Sequence, residues 1–255
     1  MKTTLLTATL LLSAALSPAA TFIGNGNSGF GGVLGTGSIT VTDDGSNLNF
    51  TFTKGSANFN DYLVLYFDAP GTTAGATILD TSGEIGSPFN GRRAIANEFG
   101  SGISAMPSGF TASHAFALKS SGSEGNHLFS IADNSTNANT LGFVGTSSVS
   151  NFGSTTASSY SWSIPFSAFG LTQSVSANDT LKFFATYLNP NSGAGSDASF
   201  RSNEGLTGEN MGGTNIGFSD YSFTQSFSYT VTPEPSRALF AAMGLFGVFF
   251  RRRRK

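Results

Sequence analysis

The sequence has no cysteine among its 255 residues, and charged residues of either sign are few. Without cysteine the chain cannot form a disulfide scaffold, a thiolate zinc site, an iron–sulfur cluster or a cysteine nucleophile. Asp, Glu, Lys and Arg make up 11% of the chain, against about 25% in an ordinary soluble domain. Aromatic residues make up 13%, and 25 of them are Phe, so a hydrophobic core can form and a disordered chain is not expected.

Histidine is also scarce, since His114 and His127 are the only two. Two histidines cannot supply a three-histidine zinc site, and neither H-E-x-x-H nor G-x-S-x-G occurs. A Ser–His–Asp triad stays open, because triad members need not be neighbours in sequence. We expect structural or surface roles for both histidines, and the sequence predicts no catalytic residue.

Residues 1–20 have the layout of a secretory signal peptide. Lys2 precedes an apolar run from Leu5 to Leu16, and the small residues Ala19 and Ala20 follow it. The run is about 12 residues long, too short for a membrane-spanning helix of about 20 residues. The segment therefore predicts export, with cleavage after Ala19 or Ala20.

The C-terminal segment, residues 233–255, has three parts in a fixed order. The motif Pro233, Glu234, Pro235 comes first and is followed by an uncharged apolar run over 238–250. Five cations end the chain: Arg251, Arg252, Arg253, Arg254 and Lys255. The run would be about 20 Å long as a helix, against a hydrocarbon core of about 30 Å. The basic cluster favours a cytoplasmic position, so it would act as a membrane stop that leaves the body outside.

This tail resembles a PEP-CTERM sorting signal, which combines a Pro-Glu-Pro motif, a short transmembrane helix and an Arg-rich end. The resemblance covers the last 23 residues. It implies export across the inner membrane of a Gram-negative bacterium and transient anchoring through the C-terminal helix. It further implies an exosortase-type membrane protease as partner, with delivery to the cell surface or the extracellular matrix. The alternative is an ordinary single-pass tail anchor.

The body between the two signals, residues 21–232, carries 14 acidic and six basic residues, a net charge of −8. An acidic body without a basic stripe argues against nucleic acid and against anionic membrane as partners. Its apolar residues alternate at period two and show no long helical period. The body therefore predicts an all-β fold, a single antiparallel β-sandwich of jelly-roll-like type with about eight to eleven strands.

Several segments of the body carry particular expectations. Tyr62–Phe67 is continuously apolar and predicts a central strand buried on both faces. Residues 165–170 predict one helical turn between the sheets. The glycine-rich residues 24–37 are expected to be flexible or to lie at an edge, because no strand precedes them and no P-loop Lys-Ser/Thr follows. Residues 191–211 are expected to form a long surface loop.

The body also resembles, more weakly, family-9 carbohydrate-binding and DOMON-like sandwich modules. The resemblance rests on three segments: residues 60–68, residues 160–170 with the sequence Y-S-W-S-I-P-F-S-A-F-G, and residues 179–187. It implies a β-sandwich fold and a polysaccharide as a candidate ligand. The chain lacks the paired exposed tryptophans of such sugar sites, so no binding residue is carried over. The single tryptophan, Trp162, alternates with Tyr160 and Ile164, which favours a core position over a sugar-stacking one.

The residue types leave two kinds of site chemistry to consider, glycoside hydrolysis and calcium binding. Glycoside hydrolysis needs two carboxylates about 5–9.5 Å apart, and the candidates are Asp61, Asp68, Asp80, Glu84 and Glu98. Residues 43–47 and 133–137 cluster oxygen ligands that suit calcium, although Asx-rich turns explain the same pattern. We therefore expect a non-enzymatic, exported surface or matrix protein that requires no cofactor, with calcium left open. The alternative is a secreted carbohydrate-active enzyme, either a glycoside hydrolase or a lyase.

Overall fold

The structure is a computed structural model and describes residues 18–79, 90–96, 102–122, 124–171, 179–190, 199–209 and 221–231. Within these ranges there are thirteen strands, one α-helix and one 3-10 helix. The strands are β1 (Ala20–Ile23), β2 (Ser38–Asp43), β3 (Asn47–Thr53), β4 (Tyr62–Asp68), β5 (Ile103–Ala105), β6 (His114–Leu118), β7 (Asn126–Ser130), β8 (Gly142–Thr146), β9 (Ser159–Pro165), β10 (Thr180–Pro190), β11 (Ser199–Arg201), β12 (Tyr221–Ser222) and β13 (Phe227–Thr230). The α-helix α1 is Asn90–Ala96, and the 3-10 helix is Phe166–Phe169.

Two antiparallel sheets form a sandwich. The smaller sheet has four strands in the order β1-β2-β3-β9. The larger sheet has seven strands: its path runs β11-β10-β4-β6-β7-β8, and β13 pairs with the same side of β10 as β11 does. A short parallel pair, β12 with β5, lies apart from both. The prediction of an all-β antiparallel sandwich is confirmed.

The core between the sheets follows from the period-two alternation of the strands. In β2 and β3 the residues Ile39, Val41, Leu48, Phe50 and Phe52 are buried, while the threonines between them are less so. Trp162 of β9 is 3% exposed and lies in this core, so its core prediction is confirmed. Its indole stacks between Phe50 and Phe116, with ring centroids 5.3 and 5.2 Å away.

A second core covers the outer face of the larger sheet. Strand β4 pairs with β10 on one side and with β6 on the other, and all of Tyr62–Phe67 is buried. Its odd-numbered residues face the smaller sheet, whereas Tyr62, Val64 and Tyr66 face the opposite way, toward α1 and the β5–β12 pair. The prediction of a strand buried on both faces is confirmed.

The helical turn predicted for residues 165–170 is also confirmed, as the 3-10 helix Phe166–Phe169. Pro165 precedes it with an extended backbone, and Gly170 ends it at φ +72°. Such a left-handed residue suits glycine, which lacks the Cβ that would clash there. The helix follows β9 of the smaller sheet and precedes β10 of the larger one, so it lies at the crossing between the sheets.

Two loop expectations are wrong. The glycine-rich residues 24–37 are neither flexible nor peripheral, because Val33 and Leu34 are fully buried in the core. Residues 191–211 are not simply a surface loop, because β11 falls within them and the stretch 201–206 is buried. The physical reason is one carboxylate: Glu204 accepts hydrogen bonds from the backbone N–H groups of Phe30, Gly32, Leu34 and Gly35.

Candidate functional site

The predicted signal peptide, residues 1–20, and the predicted sorting signal, residues 233–255, flank the strands. Ala19 is exposed and Ala20 is the first residue of β1, where it pairs with Val41. Cleavage after Ala19 would leave β1 whole, and cleavage after Ala20 would remove only its first residue. At the other end β13 stops at Thr230. The predicted sorting motif Pro233-Glu234-Pro235, the helix predicted over 238–250 and the basic cluster 251–255 lie outside the described residues. No helix within the described ranges is long and apolar enough to cross a bilayer.

Two of the candidate catalytic carboxylates are described, and they lie far apart. Asp61 immediately precedes β4 and Asp68 ends it. Seven residue steps of strand separate them, which is about 23 Å at about 3.3 Å per residue. Glycosidase carboxylates face each other across at most about 9.5 Å. These two residues therefore cannot form one acid–base pair, and Asp80, Glu84 and Glu98 lie outside the described residues.

His114 is buried in the larger sheet and is poorly suited to act as a base. Its Nδ1 lies 3.0 Å from Ser113 Oγ, and its ring packs edge-on against Phe169. Burial lowers the pKa of His114 to about 4. Among the described residues no carboxylate is hydrogen-bonded to this imidazole. The neutral ring thus packs in the core next to Phe169, which agrees with the structural role expected for His114 from the sequence.

The two oxygen-rich turns use their carboxylates within the turn. Asp44 Oδ1 accepts hydrogen bonds from the backbone N–H groups of Ser46 and Asn47. Asp133 Oδ1 accepts one from the backbone N–H of Ser135 in the same manner. The Ser135 side chain and then its backbone N–H lower the pKa of Asp133 by their hydrogen bonds. Desolvation would raise the pKa of Asp44, but hydrogen bonds from the Asn47 side chain and from the turn backbone keep it below its ordinary value. In the described part of the chain no three His, Asp or Glu side chains gather as a metal site.

A cluster that the sequence did not indicate lies where α1 meets the β6–β7 loop. Arg92 of α1 and Glu124 of the loop form an ion pair, with Nε donating to Oε1 at 2.8 Å. The backbone N–H of Arg92 donates to the second carboxylate oxygen at 3.1 Å. The guanidinium also donates to the Leu141 carbonyl oxygen and lies over the Phe129 ring, 5.0 Å from its centroid. Arg92 is thus held by four contacts from three separate segments.

The backbone around this pair is specialised. Glu124 has φ +58°, a left-handed conformation that side chains other than glycine rarely adopt. A Cβ at Gly91 would lie 2.6 Å from Glu124 Cβ, so only glycine allows α1 to approach so closely. Strain of this kind persists where the surroundings hold it and is concentrated at functional positions. The fold therefore holds the Arg92–Glu124 pair in place although the left-handed backbone at Glu124 is conformationally unfavourable.

Beside this pair lie two exposed rings, Phe143 and Phe152, with the half-buried His127 on β7. Phe143 of β8 is 55% exposed and contacts both His127 and Phe129 of β7. A bulge at Val144 interrupts the β7–β8 register. Phe152 is 42% exposed, and its ring covers Gly125, whose added Cβ would lie 3.4 Å from Phe152 Cε2. We call Phe143, His127, Phe152 and the adjoining Arg92 the β7–β8 surface.

Charges around the β7–β8 surface balance. Arg92 is paired with Glu124, and Lys119 lies over the Tyr62 ring. Burial raises the pKa of Asp61, and the nearby Lys119 ammonium opposes part of that shift. Partial burial lowers the pKa of His127; Glu124 opposes this shift and Arg92 adds to it. The imidazole is therefore neutral at neutral pH. No charged residue occurs in the sequence between Asp133 and Asp179, the stretch that supplies Phe143 and Phe152.

The β7–β8 surface could not be predicted from the sequence, because its residues come from α1, β7, β8 and the segment that follows β8. The charge-free stretch after Asp133 was the one available signal that a neutral surface lies in this part of the chain. No family model, no curated protein and no solved structure matches the chain.

Proposed function

We propose that the chain is an exported, non-enzymatic cell-surface or extracellular-matrix protein that is sorted through Pro233-Glu234-Pro235 and binds polysaccharide. An exosortase-type protease removes its tail after transient anchoring in the inner membrane. The observation that carries this proposal is the position of the strands. β1 begins at Ala20, at the expected signal-peptide cleavage site, and β13 ends at Thr230, three residues before the motif. Both ends can be removed without loss of a whole strand among those of the described residues.

The length, charge and proline content of the tail support the same role. A helix of 13 apolar residues is shorter than the bilayer core by about a third, so it is a weak permanent anchor. The terminal cations resist translocation and can pause the chain with its body outside. A Pro-x-Pro sequence favours an extended backbone, which suits a protease groove that binds an extended peptide.

Cell fractionation of the native host tests the sorting step. Replacing Pro233, Glu234 and Pro235 with alanine should leave the full-length chain in the inner membrane. Replacing Arg251–Lys255 with serine should let the unprocessed chain escape from that membrane. A matched control replaces residues 225–226 outside the motif with alanine and should be sorted as the wild type is. Normal delivery of the motif variant would overturn the proposal.

The alternative, a secreted carbohydrate-active enzyme, needs two facing carboxylates. The separation of Asp61 and Asp68 along β4 disfavours the one candidate pair for which both members are described. Incubating the exported protein with a panel of polysaccharides distinguishes the two roles. Retention without released oligosaccharide supports binding, whereas product release that scales with protein concentration would establish the enzyme.

A further inference from the structure

Two exposed rings and the half-buried His127 are spread along β7 in the β7–β8 surface. Phe143 lies beside Phe129, His127 follows two residues earlier on the same face, and Phe152 covers Gly125. From Phe129 to Gly125 is four residue steps, about 13 Å at about 3.3 Å per residue. That is the length of a short oligosaccharide. Phe143, Val144 and Phe152 are three of the five large hydrophobic residues that are exposed in the described chain.

The polar groups between the rings suit hydroxyl groups. His127 Nδ1 lies 2.9 Å from Asn126 Oδ1, an oxygen that can only accept, so Nδ1 carries the proton and Nε2 is left as an acceptor. Arg92 is fixed beside the rings by Glu124 and the Leu141 carbonyl, with 23% of its side chain exposed. Flat apolar rings next to fixed polar groups complement a sugar, whose ring has apolar C–H faces and a polar rim.

We propose that the β7–β8 surface is the polysaccharide-binding site and that its ligand is a neutral polysaccharide of pyranose units. Phe143 and Phe152 stack on sugar rings, and His127 Nε2 accepts a hydrogen bond from a hydroxyl between them. This inference rests on the proposed function, since it gives the polysaccharide-binding role a location. The bulge at Val144 serves the site by changing the alternation of β8 where Phe143 is presented.

Charge decides between kinds of ligand. The body carries a net charge of −8, which repels an acidic polysaccharide. Locally the cations Arg92 and Lys119 are offset by Glu124 and Asp61. A neutral ligand meets no uncompensated charge here. A second copy of the chain is the other occupant that an exposed apolar patch could take, but the same bulge disfavours edge-to-edge pairing of β8. The test below includes that outcome.

The test is depletion of the exported protein from solution by insoluble neutral polysaccharides: amorphous cellulose, curdlan and starch granules. Phe143→Ser and Phe152→Ser should each weaken binding at least tenfold, and the double variant should abolish it. Ile23→Ser is the matched control, because Ile23 is 65% exposed on β1 of the other sheet. It should bind as the wild type does. Thermal melts check that all variants are folded.

The possible results separate the site from the function. If the wild type binds and the folded double variant binds equally well, the site assignment is wrong while the binding role stands. If the wild type binds none of the three polysaccharides, the ligand class is wrong, and the sorting experiment still tests export on its own. If sedimentation equilibrium shows a dimer that the double variant dissociates, the surface joins two copies of the chain and the proposal is overturned.

Discussion

The Glu204 carboxylate accepts a hydrogen bond from the backbone N–H of Leu34 at 2.8 Å, across 170 positions of sequence. The same carboxylate accepts three more backbone N–H groups from residues 30–35, and Glu204 itself is fully buried. Successive N–H groups that converge on one anion form a nest. The glycine-rich segment is thus an anion-binding loop whose anion is a side chain of the same protein.

Replacing this carboxylate with an amide should be costly. In Glu204→Gln one oxygen becomes an NH₂ group, which faces two buried N–H donors and leaves them without an acceptor. At about 1–3 kcal/mol for each buried donor, we expect the free energy of unfolding to fall by about 2–6 kcal/mol. Urea denaturation measures it. Asp44→Asn is the matched control at an exposed turn, and a change there as large as that of Glu204→Gln would contradict the explanation.

Trp162 supplies a second prediction. Trp162→Ala should lower the free energy of unfolding by about 3–5 kcal/mol, the usual range for truncating a buried aromatic. No described residue accepts a hydrogen bond from the buried Trp162 Nε1, so Trp162→Phe loses no such bond and should cost much less. Thermal melts of the three proteins measure the difference. A melting temperature of Trp162→Ala equal to that of the wild type would place the indole outside the core.

The pH dependence of stability should reveal Glu209. Burial raises the pKa of Glu209 to about 8 from 4.5, although hydrogen bonds from the backbone N–H groups of Ala185 and Leu206 oppose the shift. A raised folded pKa gives stability that is full below pH 4.5 and is lost as pH rises through about 8. His114 acts in the opposite sense: its folded pKa is about 4 against 6.5, so its contribution is full above pH 6.5 and is lost toward pH 4.

Between pH 6.5 and 8 the contribution of His114 to stability is constant, so the change in stability with pH comes from Glu209. We expect the free energy of unfolding to fall across this window, by at most about 1.4 kcal/mol per pH unit for one proton. Glu209→Gln should flatten that slope. Its stability at pH 5 should be lower, because the amide keeps one acceptor oxygen and its NH₂ group cannot accept the hydrogen bond of the second backbone donor. Urea denaturation at a series of pH values measures this, and an unchanged slope in the variant would rule Glu209 out as its source.

A substitution at Gly91 tests whether the close approach of α1 to Glu124 positions Arg92. Gly91→Ala places a methyl group 2.6 Å from Glu124 Cβ, and such overpacking costs about 1–3 kcal/mol. Gly145→Ala is the control, since an added Cβ there meets no atom within 4 Å; its effect should stay within about 0.5 kcal/mol. The variant should also bind neutral polysaccharide more weakly, because Arg92 moves with the helix. Equal stability of the two variants would contradict this role for Gly91.

Local patterns predicted much of the sandwich. The alternation of Tyr160, Trp162 and Ile164 agrees with β9, the apolar run Tyr62–Phe67 predicted β4, and the turn predicted over residues 165–170 contains the 3-10 helix. Those signals act over a few residues. Two interactions could not be predicted from local patterns. Glu204 binds backbone groups up to 174 positions away, and Arg92 lies 32 positions from Glu124, and neither set of partners follows a periodic pattern.

The most direct test of the account is the intact mass of the untagged protein recovered from the surface of its native host. We predict an N-terminus at Ala20 or Thr21 and a C-terminus that lacks the apolar segment 238–250 and the basic cluster. Loss of both segments would leave the strands from β1 to β13 in place. A mature surface protein that still carries Arg254 and Lys255 would contradict processing at the Pro-Glu-Pro motif and would identify the tail as a plain membrane anchor.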